Sequence, residues 1–434
     1  MRPAARIQAA IEILDAVFEK QVAADRYLNG WARTHRFAGS KDRRAIADMV
    51  YDVLRQRGRY MARMGGGAGA RTAVLGALAA RPLPLDEIEA LFDGGPHAPA
   101  PLSPEERAVL AAPPPADSRA ERVPAWLLPR LEAAFGAGLD AELDALDRRA
   151  PLDLRVNTLK GDAEDAMALL QDGFIHTEAL PWPANALRVR RGRPKQIETS
   201  PAYAQGRVEV QDQGSQLMAA LVEARQGALV VDLCAGAGGK TLALASALAG
   251  TGRLVACDTA EIRLKRLPPR TARAGITGLD IRLLPEDWQD DVEHPLADLA
   301  GRADAVLVDA PCSGSGTWRR NPETRWRLTP ETLARLTALQ AAILAAAAPL
   351  VRPGGRLVYV TCSVLPDENE AIAEAFLQSQ PDFALLPAAE AFGRIAPGAA
   401  PPPAFGRFAR LSPATTGTDG FFAALFSRSG PPGR

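Results

Sequence analysis

The sequence predicts a doubly wound α/β domain, preceded by a small α+β module and an all-helical segment. Three observations carry that prediction. From about residue 226, short apolar runs alternate with helical stretches, the pattern of a parallel sheet buried on both faces. Residues 1–64 instead carry apolar positions at helical spacing. Between about 140 and 225 the two signals are mixed. We therefore divide the chain into 1–130, 140–225 and 226–434.

Composition fits that reading. A chain of 434 residues has room for about three domains. With 47% hydrophobic and 24% charged residues it is not mainly disordered. Four cysteines are too few for a disulfide-stapled secreted fold. Lys+Arg 51 balances Asp+Glu 51, so global charge names no partner. Glu12 and Asp15 interrupt any signal-peptide core, and the longest apolar run, Ala341 to Leu350, is too short to span a bilayer. The expectation is a cytoplasmic protein with reduced thiols and no membrane partner, taken as a monomer.

In the first segment, Ile7, Ala10, Ile11, Leu14, Val17 and Phe18 share one helix face, and Ile46, Met49, Val50, Val53 and Leu54 another. Ser40-Lys-Asp-Arg-Arg44 reads as a helix start with Ser40 or Asp42 as cap. Ser103-Pro-Glu-Glu106 has a cap, a first-turn proline and a glutamate at the third position. In the middle segment, 153–158 and 186–190 read as strands and 162–170 as a helix. In the last, 228–233, 253–257, 281–284, 304–308 and 356–360 read as strands, with 421–426 adding a late one at an edge. Pro268-Pro269 should interrupt the helix after the second of these strands.

Charge is locally uneven. Residues 1–64 hold thirteen Lys and Arg against seven Asp and Glu. Arg188 to Lys195 is a second basic run, and Trp318 to Arg327 a third, in which indoles alternate with guanidinium groups. Any one such run is ordinarily a solvated face. Three together favour an anionic polymer, with phosphate contacts and base stacking.

The first strand of the α/β domain ends in Asp232-Leu-Cys-Ala-Gly-Ala-Gly-Gly-Lys-Thr241. A P-loop would need glycine where Cys234 stands, and a dinucleotide fingerprint would need it at Thr241. Asp-x-x-x-Gly-x-Gly-Gly remains, a turn that lets backbone approach a small nucleoside ligand such as S-adenosylmethionine. Asp258 ends the second strand, where a carboxylate can take the ribose hydroxyls. Asp287 or, as second choice, Glu286 ends the third, near the adenine. The bland alternative is a tight strand–helix turn with ordinary caps.

No two of Cys234, Cys257, Cys312 and Cys362 have zinc-finger spacing, so no metal site is expected. Cys257 lies inside a strand and reads as core filler. Cys312 and Cys362 each follow the carboxyl end of a strand, in Asp309-Ala-Pro-Cys-Ser313 and Thr361-Cys-Ser363, where open α/β sheets bind ligands. Two thiols beside a methyl-donor pocket suggest covalent catalysis. Carbon 5 of cytosine is a poor nucleophile until a thiolate adds to carbon 6. Asp309 is placed to hydrogen-bond the base edge, and Lys240 to favour a thiolate. The base must be unstacked, which single-stranded or loop RNA makes easier. Chemistry alone leaves open which thiol attacks.

Asp232 to Thr241, Asp309 to Ser313, Arg319-Arg-Asn-Pro-Glu323 and Thr361-Cys-Ser363 together resemble the NOL1/NOP2/Sun family of RNA cytosine-5 methyltransferases. Arg155-Val-Asn-Thr158, Gln211 to Gln216 and Thr418-Asp-Gly-Phe-Phe422 are similar to its flanking motifs. The helical N-terminus resembles the RNA-binding NusB-like domain of the bacterial small-subunit rRNA branch. The resemblance implies a Rossmann-like, S-adenosylmethionine-dependent methyltransferase domain acting on RNA, with 16S rRNA favoured over tRNA. It implies Cys362 as nucleophile and Cys312 as the residue that assists release of the adduct. It places Cys234, Ala235, Gly236, Ala237, Gly238, Gly239, Lys240, Asp258, Asp287 and Asp309 around the cofactor. The family usually has proline where Ala237 stands, one departure in this chain. The competing reading is a non-catalytic RNA-binding or ribosome-assembly factor, against which the intact thiols and Gly-Gly-Lys turn both argue.

Overall fold

The structure, a computed structural model, describes residues 1–116, 118–290 and 295–430. The chain packs as two compact units, Met1–Arg149 with Thr317–Thr329 and Ala150–Gly316 with Pro330–Arg434.

The first unit is helical. Helices Pro3–Lys20, Ser40–Arg55 and Ala70–Ala79 bury Ile13, Leu14, Ile46, Val50, Val53, Val74 and Leu75 in a common core. The helix Pro104–Ala111 starts as the sequence predicts: Ser103 Oγ accepts the Glu106 amide at 3.1 Å, and Glu106 Oε2 accepts the Ser103 amide at 2.9 Å. The helix Ser40–Arg55 does not: Gly39 stands at its cap position and Ser40 is already helical. Asp42 accepts the Gly39 amide at 3.3 Å, but also the chain's amino terminus at 3.1 Å and Arg6 at 2.8 Å. Its carboxylate therefore anchors the first helix as well as the third.

The segment Thr317–Thr329 overturns a sequence expectation. Its indoles and guanidinium groups, read above as an RNA-contacting run, are largely internal to this unit. Trp318 and Arg325 are buried, at 0% and 1% exposure. Arg325 donates to Asp147 Oδ1 at 2.8 Å and the Arg122 carbonyl at 3.1 Å, with its guanidinium 4.9 Å from the Trp318 ring centroid. Arg327 donates to the Gln21 and Val22 carbonyls at 2.9 and 3.2 Å, just past the first helix, and Glu323 accepts the Ala24 amide at 3.2 Å at the start of the helix Ala24–Thr34. Buried charges persist when paired, and Arg325 is matched by Asp147, although Arg325 Nε and Nη2 and Glu323 Oε2 find no hydrogen-bond partner among the described residues. The periodicity of aromatic and basic residues is the same for a stacking surface and for this internal strap.

The second unit begins with four antiparallel strands, β1 (Asp153–Val156), β2 (His176–Ala179), β3 (Ala186–Arg191) and β4 (Val208–Val210), in the order β2-β3-β1-β4. The larger sheet contains β5 (Leu229–Leu233), β6 (Arg253–Asp258), β7 (Asp280–Leu283), β8 (Ala303–Asp309), β9 (Val351–Thr361), β10 (Phe383–Leu386), β11 (Ala409–Leu411) and β12 (Phe421–Arg428). Its order is β10-β12-β9-β8-β5-β6-β7, with β11 paired to β12. Strands β5 to β9 run parallel, and their buried Val, Leu and Ala runs pack helices on both faces. Strand β12 is not at the edge, as the sequence suggested. It lies antiparallel between β9 and β10, and Phe421 to Phe426 are all buried.

After β6 the helix is split as the two prolines require, into Glu261–Leu264 and Leu267–Ala274, with Pro268 and Pro269 in the first turn of the second piece. The helix Pro330–Ala347 with its terminal turn to Leu350 gives 21 residues, long and apolar enough by length and composition to cross a bilayer and longer than the Ala341–Leu350 run implied. Ile343, Leu344 and Ala347 pack in the core of the sheet, and Gln340 hydrogen-bonds Glu368 at 3.0 Å, so it serves as a core helix.

Candidate active site

The order of the large sheet reverses at β5, whose neighbours are β6 and β8. Ligands bind outside the carboxyl ends of strands at such a point. A cavity of about 700 Å3 lies there. Its lining includes Cys234, Ala235, Gly236, Ala237, Gly239 and Lys240 after β5, Asp258 at the end of β6, Asp309 and Cys312 after β8, and Cys362 after β9. Four separate strand-end segments converge because parallel strands present the same end to one crevice.

The turn after β5 depends on backbone freedom. Gly238 has φ +86°, and a Cβ there would fall 2.0 Å from Leu267 Cδ1. Gly238 thus shapes the loop from behind and does not itself line the cavity. Asp258 holds the loop from the next strand: its Oδ2 accepts the Gly236 amide and its Oδ1 the Ala260 amide, each at 2.7 Å. Behind the turn, Asp232 is fully buried and accepts Thr241 Oγ1 at 2.6 Å. Burial pushes the Asp232 carboxyl up to about 7, against the pull of the Thr241 hydrogen bond.

Lys240 and Asp309 are paired with each other at 2.7 Å. Burial works against the ammonium charge, but the Asp309 carboxylate outweighs it and holds Lys240 above the ordinary lysine range. The Lys240 Nζ also sits 5.3 Å from the Phe421 ring centroid, which ties the Thr418 to Phe422 motif to the site.

The two thiols meet on the cavity wall, with Cys312 Sγ 3.4 Å from Cys362 Sγ. The hydrogen bond with Cys362, then burial, push the Cys312 thiol well above the ordinary thiol range. Behind them Gly316 donates its amide to the Cys362 carbonyl at 3.0 Å and accepts the Gly420 amide at 2.8 Å. A Cβ on Gly316 would lie 2.2 Å from the Gly420 carbonyl oxygen, so only glycine permits this crossing.

Of the two acids expected after β7, the second choice is the one on the cavity lining. Asp287 is exposed and absent from the lining, whereas Glu286 is on it. The turn after β7 brings Glu286 round, a choice that spacing from the strand end does not make. Ser215, Trp288 and Glu368 were not singled out from the sequence. Ser215 lies within the Gln211 to Gln216 motif, and Trp288 follows the β7 turn; both line the cavity. Glu368 is fully buried beneath the thiols, and no local pattern marks it.

Comparison with known proteins agrees with this architecture. A family model for the 16S rRNA methyltransferases RsmB/F matches residues 219–427. A second, for the ferredoxin-like domain of RsmF/B-like methyltransferases, matches residues 123–196. Together they account for more than half of the chain. The chain belongs to the RsmB/F methyltransferase family. Ribosomal RNA small subunit methyltransferase B of Salmonella arizonae is 36% identical over 266 residues, which is 60% of this chain and 59% of that protein. The crystal structure of PH0851 is similar over 99% of both chains, with TM-score 0.77 and 25% identity. A methyltransferase homolog protein from Pyrococcus horikoshii is similar over 70% of this chain and 95% of its own, with TM-score 0.58 and 26% identity. The ferredoxin-like match falls mainly on the α+β module and the methyltransferase match on the Rossmann-like sheet, so the cavity lies within the matched methyltransferase region.

Proposed function

We propose that the chain transfers a methyl group from S-adenosylmethionine to carbon 5 of a cytosine in RNA, with 16S rRNA as substrate, through a covalent adduct on Cys362. The observation that carries this reading is the pair of thiols 3.4 Å apart on the wall of a cavity closed by a glycine turn. The cavity suits the cofactor. Its volume lies in the range of small-molecule sites. Asp258, Glu286 and Asp309 set three carboxylates around it, a donor set that matches ribose hydroxyls and a sulfonium charge. When bound, the cofactor supplies an electrophilic methyl group to carbon 5.

The protein's residues do the rest. Cys362 adds to carbon 6 as thiolate, forming a carbon–sulfur bond and making carbon 5 nucleophilic. Until then Cys312 holds the proton of the pair. Once Cys362 is consumed in the adduct, the main cause that keeps Cys312 protonated is gone. Cys312 then releases its proton to solvent and takes the carbon 5 proton. The electrons of that C–H bond rebuild the 5,6 double bond, and Cys362 leaves carbon 6 as thiolate. Asp309 and Lys240 face the base and the developing charge.

We further propose a helical RNA-binding domain over 1–130, an α+β module over 140–225 that helps seat RNA, and a catalytic domain over 226–434, acting as a cytoplasmic monomer. The decisive test combines purified protein, S-adenosylmethionine and either 16S rRNA or bulk tRNA, with bisulfite sequencing as readout. New 5-methylcytosine in 16S rRNA is expected. No saturable cofactor binding, or methylation confined to tRNA, overturns the cofactor or the substrate assignment respectively.

A further inference from the structure

The two cysteine loops meet on one buried carboxylate. Glu368 is 0% exposed, at the end of the short turn Pro366–Glu368 after β9. Its Oε1 accepts the Ser313 amide at 2.8 Å and Gln340 Nε2 at 3.0 Å. Its Oε2 accepts Ser313 Oγ and Ser363 Oγ, both at 2.5 Å. Ser313 directly follows Cys312, and Ser363 directly follows Cys362. The turn itself is fixed by Tyr359, whose hydroxyl donates to the Glu368 carbonyl at 2.7 Å.

Four donated hydrogen bonds satisfy an ionised carboxylate, and all four come from neutral groups. No ion pair neutralises Glu368 among the described residues. Leaving a carboxylate charged and unpaired in the interior is costly, so neutral hydrogen bonds alone holding one directly beneath two thiols calls for a reason. The surroundings of the pair are asymmetric: Lys240 lines the cavity with both thiols, while Glu368 takes two bonds from Ser313, next to Cys312, and one from Ser363, next to Cys362.

We propose that Glu368 is the positioning residue of the thiol pair: its carboxylate, bonded to the residue after each cysteine, fixes their separation and decides which sulfur holds the shared proton. This rests on the reading of Cys312 and Cys362 as reactive thiols. With Glu368 ionised, a second anion on Cys312 is disfavoured, and the thiolate forms at Cys362. The order of attack is then built into the structure beneath the site as well as into the substrate's position above it.

The test reads each thiol separately and does not need turnover. The full-length protein is treated with iodoacetamide, which alkylates thiolates, across a pH series. Alkylation at Cys312 and Cys362 is quantified by peptide mass spectrometry. Glu368→Gln should raise the ratio of Cys312 to Cys362 alkylation about tenfold near neutral pH, the effect of about one pKa unit. Glu368→Asp, which keeps the charge, should stay within about twofold of the parent. Cofactor binding should be unchanged in Glu368→Gln, while its single-turnover methylation rate falls about tenfold and the alkaline limb of its pH profile moves to lower pH. Should Glu368→Gln not fold, Ser313→Ala and Ser363→Ala carry the test. Each strips one bond from the charge and should lower the Cys312 ratio about threefold.

An unchanged ratio in Glu368→Gln, or in both serine variants, overturns the proposal. So does a parallel loss of cofactor binding and rate with an unshifted profile, which would make Glu368 a residue of the fold only. A shifted alkylation ratio in a protein that methylates no RNA would keep the role of Glu368 and overturn the proposed function instead.

Discussion

Cys312 Sγ and Cys362 Sγ, fifty residues apart in the chain, stand 3.4 Å from each other at the ends of adjacent parallel strands. That distance allows one shared proton and makes two simultaneous thiolates unfavourable. In the proposed reaction the pair begins with one nucleophile and one acid and exchanges their roles.

Replacing either thiol should have opposite consequences. Cys362→Ala should lower methylation by about a thousandfold or more, because no covalent activation of the base remains. Cys312→Ala should still form the adduct but fail to resolve it. A protein–RNA band stable to denaturing electrophoresis, seen in Cys312→Ala and absent from Cys362→Ala and from the double variant, checks this. The reverse pattern would exchange the two assignments.

Asp258 holds the glycine turn through two amides. Asp258→Ala should raise the Kd for S-adenosylmethionine about 10- to 100-fold, from lost hydrogen bonds to a charged group of about 1.5–3 kcal/mol. Isothermal titration measures it directly. Asp287→Ala, at an exposed position off the cavity, should bind as the parent does.

The Asp232 carboxyl makes stability depend on pH. Its folded value of about 7 lies above the ordinary 3.8 of the unfolded chain. Between those values the folded state binds more protons than the unfolded one, so this residue's contribution to stability falls as pH rises through the window. The fall is at most about 1.4 kcal/mol per pH unit. Asp232→Asn removes the titration. Its melting temperature relative to the parent should rise steadily from about pH 4 to about pH 7 and level off above; a flat difference would contradict the assignment.

In the helical unit, Arg325→Met should destabilise by about 3–5 kcal/mol, because Asp147 stays buried with less compensation and the Trp318 face loses its cation. Trp318→Ala should cost about as much through the cavity it leaves. Urea denaturation followed by circular dichroism reads both. Arg190→Ala, in an exposed pair with Glu178, should change stability by less than about 1 kcal/mol.

The strands, the glycine turn and the cysteines at strand ends were legible because each is a local pattern with a fixed place in an open sheet. Asp232 to Thr241, Asp309 to Ser313 and Thr361 to Ser363 needed only the rule that strand ends share a crevice. The interior place of β12 was not legible: a run buried on both faces looks the same whether it is central or marginal, parallel or antiparallel. Glu286 and Asp287 are adjacent acids after β7, and their order alone does not say which of them lines the cavity. The strap escaped for a different reason. Arg325 finds Asp147 across 178 residues and Glu323 finds Ala24 across 299, and an alternation of Trp and Arg carries no mark of whether water or protein will surround it.

The strap also bears on biosynthesis. Because Thr317–Thr329 supplies core side chains to the helical unit, that unit stays unfinished until the ribosome has made more than two thirds of the polypeptide, well after its other helices have emerged. Until then Asp147 has Arg122 and Arg59 beside it but lacks Arg325. Cutting the gene at the apparent boundary near residue 150 would thus leave two incomplete products, one missing its plug and the other carrying it exposed.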